Sequence, residues 1–249
     1  MNPFVKRLVA HSKKEDKSGR FIKNGLLEII LFKIAILLAL AIYGMYTDHV
    51  EQQKVKAYFV SIQHELEPAI KNGKIKNKEI DTLILQVTNC LKIITSPNKD
   101  SLAYLQENLG AFVKVPKQIF NFPATKELSS NGYISKIKNK ETVKLLRKMQ
   151  QELLNINEAH EYSMNRYLFS IEPFTNKHMN YVTISPKNEK DLFIEGGPKA
   201  NYNNFHENMV LWNLLTQKLK EYKLQVIRQR EFVLTLQDLK ENIKQQVNK

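Results

Sequence analysis

The chain is poor in residues that punctuate a fold, with eight glycines and eight prolines in 249 residues, and it has one tryptophan and one cysteine. So few turn formers argue against a sandwich or barrel, which needs a turn about every ten residues, and favour helices. The lone Cys90 has no partner for an internal disulfide and reads, in its apolar run, as a small buried hydrophobe. Signatures of chemistry are also lacking. There is no Gly-x-Ser-x-Gly elbow and no glycine-rich phosphate loop, and His11, His49, His64, His160, His178 and His206 stand singly without metal-ligand spacing. The expectation is a protein that is not an enzyme and has no cofactor.

What is present is an ordinary globular composition, 43% apolar and 25% charged, with a formal charge of +13. Such a charge invites a nucleic-acid partner until the chain is placed relative to a membrane. Ile29 to Thr47 reads IILFKIAILLALAIYGMYT, nineteen residues with one charge, Lys33. A helix rising about 1.5 Å per residue would just carry it across about 30 Å of hydrocarbon. Lys33 lies close enough to the tail side to snorkel, and Glu28 sits in the first turn, where a helix favours an anion. Contact with a neighbouring helix is the alternative use of both. Tyr43 and Tyr46 fit an aromatic belt.

Flanking charge sets the orientation. Lys6, Arg7, Lys13, Lys14, Lys17, Arg20 and Lys23 face only Glu15 and Asp16, whereas Asp48 to Ile70 has two lysines and four acids. The positive-inside rule then divides the chain into a basic cytoplasmic tail (1–24), a transmembrane helix (25–47) and an extracytoplasmic, periplasmic domain (48–249) in a bacterial inner membrane. That placement argues against nucleic acid. A cleavable signal peptide is the rival, since Ala39-Leu40-Ala41 has a small-x-small form.

Beyond the span the fold class expected is mainly α, an elongated helical bundle ending in a long C-terminal helix. Val55, Tyr58, Phe59, Ile62 and Leu66 form one apolar face on a helix expected to kink or end near Pro68 and close at Asn72-Gly73. A second helix, 77–95, carries Ile80, Leu83, Ile84, Val87, Leu91 and Ile94, and a third, capped by Asp100 or Ser101, reaches Gly110. From Val115, VPKQIFNFPATKE reads as an ordered connection, stopped by Asn131-Gly132. Residues 140–171 form a long helix that Pro173 ends or kinks. Tyr181 to Ile184 suggests a short strand, and Gly196-Gly197-Pro198 a turn. The last helix, 204–247, repeats Leu211, Leu215, Leu219, Leu224, Ile227, Val233, Leu236, Leu239 and Ile243, in a bundle or coiled coil.

Several stretches together resemble a family of single-pass membrane proteins of the Bacteroidota type that is catalogued only as a domain of unknown function. They are Glu28-Ile29-Ile30-Leu31, Ile36-Leu37-Leu38-Ala39-Leu40, Glu127-Leu128-Ser129-Ser130-Asn131-Gly132, Ile137-Lys138-Asn139-Lys140-Glu141 and Asn204-Phe205 before the closing helix. The family usually carries a glycine at Ala35 and a glutamine with an Asn-Asn-Trp-like exit where this chain has Ala41 and Tyr43-Gly44-Met45. The resemblance implies a topology, an inner-membrane anchor with a helical exterior domain, and no activity.

Ser129, Ser130, Asn131 and Gly132 are a candidate contact turn, against the plainer reading of helix-end chemistry. His160, close to Glu158 and Glu161, reads as part of a solvated face, as do the basic runs 71–78 and 136–148, whose other use is contact with anionic lipid or wall polymer. The function expected is that of an envelope interaction or scaffold protein. Its partners are the lipid bilayer and a protein or a second copy of the chain. A small-ligand sensor acting through a partner protein is the alternative.

Overall fold

A computed structural model describes residues 3–95, 101, 104–117, 120–185 and 187–247, with side chains from Gly25 onward except at 187, 188 and 190. The chain divides into two compact units, Met1–Lys54 and Val55–Lys249. It is helical, and no strand occurs among the described residues.

In the first unit the apolar stretch is helical throughout, within α1 (Pro3–Thr95). It is the one segment among the described residues long and apolar enough to cross a membrane. Its most apolar 18-residue window has a mean hydropathy of 2.5 and no buried residue. Large side chains from Leu26 to Tyr46 all stand exposed.

The second unit is built on three long helices: α1 from Val55, α5 (Lys140–Arg166) and α8 (Met209–Val247). Contacts fix their directions. Glu67 of α1 pairs with Lys240, Asp81 with Arg230, and the Ile94 carbonyl accepts from Glu207 N, so α1 and α8 run antiparallel. Thr142 of α5 meets Asn242 and Arg166 meets Glu221, so α5 is antiparallel to α8 as well.

Pro68 does not break α1, and Gly73 does not close it, contrary to the sequence expectation of two helices. Buried positions run through both at steps of three and four, Val55, Phe59, Ile62, Leu66, Ile70 and Gly73, and after one step of seven, which keeps the phase, Ile80, Leu83, Val87, Cys90 and Ile94. Proline forfeits one ladder bond, worth about 3 kcal/mol with its steric clash. A continuous stripe packed along its length outweighs that loss. Gly73 is there for close approach, because α8 passes over it and Gln229 Nε2 donates to its carbonyl at 3.3 Å.

Shorter elements close the bundle. In place of one third helix reaching Gly110 there are two short ones, α2 (Leu105–Asn108) and α3 (Gly110–Val113); Asp100 lies outside the described residues. The end of the expected connection is also helical: α4 (Pro123–Ser130) starts with Pro123, whose missing N–H is harmless in a first turn, and stops at Asn131 before Gly132 at φ 74°. Asn139 caps α5, its Oδ1 accepting from Glu141 N and Thr142 N.

Helix α5 does not run to Ile171. It passes into a π-helical segment, Tyr167–Ile171, and then α6 (Glu172–His178), where Pro173 occupies the first turn and ends nothing. The expected strand is a helical turn, α7 (Tyr181–Ile184), capped by Asn180, whose Oδ1 accepts from Val182 N. Asn180 Nδ2 also donates to the carbonyls of Gly196 and Pro198, pinning the turn where Gly196 and Gly197 hold positive φ. The last helix is unbroken from Met209 and starts with Asn208 Oδ1 accepting from Leu211 N.

Two cores result. One gathers Val55 to Ile70 with Phe122, Leu128, Leu146, Met149 and Phe232 to Ile243. The other gathers Ile80 to Ile94 with Phe112, Phe174, Phe205 and Leu211 to Val226.

Candidate functional site

Helix α8 buries a stripe that its apolar residues alone do not reveal. Between Leu215 and Phe232 the buried positions are Lys218, Tyr222, Val226 and Gln229, at the same three and four spacing. Leu224 and Ile227, counted with the apolar repeat from sequence, are exposed, and Leu219 is only partly buried.

Lys218 is 1% exposed, and its Nζ has no hydrogen-bond partner; it sits 5.0 Å from the centre of the Tyr222 ring. Burial pushes the ammonium down to about 8, against the pull of Glu221, with Arg166 adding to the fall. Glu221 pairs with Arg166 Nη1 at 3.0 Å, as charge against charge rather than an aligned hydrogen bond. Burial raises the Glu221 carboxyl, while Lys218 and Arg166 draw it back. The three charges, two positive and one negative, act on one another where α8 meets α5.

Arg166 and Glu221 line a groove of about 780 Å³ between α5 and α8. Helix α5 contributes Glu158, Ala159, Tyr162, Ser163 and Arg166, spaced so that they share one face, and the π-helical segment adds Ser170. Helix α8 supplies Gln217, Lys220, Glu221, Leu224, Gln225 and Arg228. A π turn shifts the register of the residues around it, and such turns recur at functional sites. Beside it, Tyr167 is pushed up to about 12, mainly by burial, with Tyr181 and Glu172 adding to the rise.

The residues singled out from sequence fall elsewhere. Glu28 and Lys33 are exposed on α1 in the first unit. Ser129 and Ser130 line a second groove, about 530 Å³, between α4 and α5 with Phe122, Thr125, Leu153 and Leu154. Asn131 turns the other way, its Nδ2 donating to the Tyr58 hydroxyl, which itself donates to Glu127 Oε1. Gly132 serves the left-handed turn. Of the four, Ser129 and Ser130 are the two that this groove brings together.

His160 is not on a fully solvated face, because its Nδ1 is buried without a partner. In the basic runs Lys71, Lys74, Lys78, Lys138, Lys140, Lys144, Arg147 and Lys148 are exposed. Among the described residues no three His, Cys, Asp or Glu are placed to hold a metal ion. No family model, no curated protein and no solved structure matches the chain.

Proposed function

We propose that the chain is a membrane-anchored helical interaction protein of the bacterial cell envelope. Residues 25–47 span the inner membrane, the basic tail lies in the cytoplasm and residues 48–249 lie outside it. The observation that carries the reading is a contrast. The second unit buries its apolar stripes in two cores, while Leu26 to Tyr46 bury none of theirs. Each Leu, Ile or Phe left in water forgoes about 1.5 to 3 kcal/mol, so such a stretch belongs in an apolar medium. The positive flank supports the orientation, and the resemblance to the Bacteroidota-type family supports the same topology.

An interaction role has its own support. Phe169, Leu192 and Ile194 stand 80%, 79% and 93% exposed, the most open of the large apolar side chains that the second unit leaves on its surface. The partner is another envelope protein or a second copy of the chain. A small-ligand sensor is the second reading, favoured by the charged groove between α5 and α8.

Two measurements test the proposal. A compartment-sensitive reporter fused after Lys249 is expected to report from outside the cytoplasm, and a cytoplasmic signal overturns the orientation. Crosslinking in intact cells, then pull-down beside a form lacking 25–47, is expected to recover a specific envelope partner or a homo-oligomer. Recovery of the protein alone favours the sensor.

A further inference from the structure

Both walls of the groove between α5 and α8 mix charged and apolar side chains. Arg166, Lys220 and Arg228 line it with Glu158 and Glu221, and Tyr162 and Leu224 supply apolar surface. Of these five charged residues three are positive and two negative, so Glu158 and Glu221 do not neutralise the lining.

Arg166 is the most sheltered of the lining cations, its side chain 15% exposed. Only one edge of its guanidinium is engaged by Glu221, and a guanidinium offers five donors in a fixed fork. An anion can therefore be received on the remaining edge without breaking the pair.

From this arrangement we infer that the groove binds a small organic anion with an apolar body, its carboxylate or phosphate at Arg166 and its body along Tyr162 and Leu224. The site's volume, about 780 Å³, suits a molecule of metabolite size or one acyl chain. Such an anion comes either free in solution or as a membrane lipid. The inference concerns the bundle alone and stands whether or not residues 25–47 span a membrane.

Calorimetric titration of the full chain in phosphatidylcholine nanodiscs with octanoate tests it, with octanol and octylammonium as controls. Octanoate is expected to bind and the controls at least tenfold more weakly. Arg166→Lys keeps the charge and loses the fork, and is expected to weaken octanoate about tenfold. Leu224→Asp, at an exposed position that folding tolerates, is expected to do the same by repulsion. Repeating the titration with phosphatidylglycerol in the nanodisc separates the sources: competition identifies a lipid, and unchanged octanoate binding a soluble anion. Equal binding of all three probes, or unaltered octanoate affinity in both variants with helicity intact, overturns the inference.

Discussion

Gly73 of α1 lies under Val233 of α8 so closely that a Cβ on the glycine would sit 2.5 Å from Val233 Cγ2. Valine on a helix has essentially one χ1 rotamer, so this methyl cannot swing away. Gly73→Ala is therefore expected to destabilise the bundle by about 1 to 2 kcal/mol, overpacking outweighing the gain in helix propensity. Denaturation of the full chain, followed by the fluorescence of its one tryptophan, Trp212, measures this. Adding Val233→Ala should recover part of the loss. If the two substitutions add to within about 0.5 kcal/mol, the contact does not exist as described.

Lys218 supplies a pH prediction. Its ammonium is lowered to about 8 by burial, below the ordinary 10.5 it regains on unfolding. Between those values the unfolded chain binds more protons, so this group makes stability rise with pH across that window. Lys218→Met is expected to be neutral or stabilising, by up to about 3 kcal/mol at pH 7, since Arg166 still faces Glu221. Its advantage over the natural chain should shrink by pH 10. An advantage that stays constant or grows from pH 7 to pH 10 would show that the lysine is solvated.

How much of this was legible in the sequence depends on where the deciding information sits. The apolar faces of Val55 to Leu66 and Ile80 to Ile94 and the Gly132 turn are readable because each is local. The continuity of α1 was hidden by Pro68 and Asn72-Gly73, local breakers that tertiary packing overrides. A signal existed, since the three and four spacing keeps its phase from Val55 to Ile94. Tyr181 to Ile184 looked like a strand by residue type, but Asn180 caps it as a helical turn. The groove was the least legible. Its walls come from 158–170 and 217–228, two stretches far apart in the chain that only the packing of α5 on α8 brings together.

Two ion pairs should behave oppositely. Arg230 grips Asp81 through two contacts, 2.8 and 2.7 Å, but both side chains are about half exposed. Asp81→Asn is expected to lose no more than about 1 kcal/mol, less in high salt. Arg166→Met removes the direct ion-pair partner of a sheltered carboxylate, leaving it only the influence of Lys218, and should lose about 3 kcal/mol at pH 7. Because burial already raises the Glu221 carboxyl, protonation relieves it, and the deficit should be smaller at pH 5 than at pH 7. Equal losses in the two variants would contradict the placement of Glu221.

Cys90 is fully buried, and burial pushes its thiol up to about 12. Thiolate is the reactive form, so Ellman's reagent at pH 8 should find no thiol in the native chain and one per chain in denaturant. Prompt native labelling would mean that the α1 stripe opens at this point.

Tyr222 ties α8 to the segment after α2. Its hydroxyl, on a residue 1% exposed, donates to the carbonyls of Ala111 at 2.7 Å and Lys114 at 2.5 Å. Tyr222→Phe preserves the ring and removes that donor, so a loss of about 1 to 3 kcal/mol is expected at pH 7. Tyr162→Phe, on an exposed ring, should change stability by less than about 0.5 kcal/mol. The pH dependence separates the hydroxyl from simple packing. Burial holds the Tyr222 phenol well above its ordinary 10, so the unfolded chain releases this proton first. The stability it confers is complete below pH 10 and is lost as pH rises beyond it. The gap between the natural chain and Tyr222→Phe should therefore narrow above pH 10, whereas a packing defect would leave it constant.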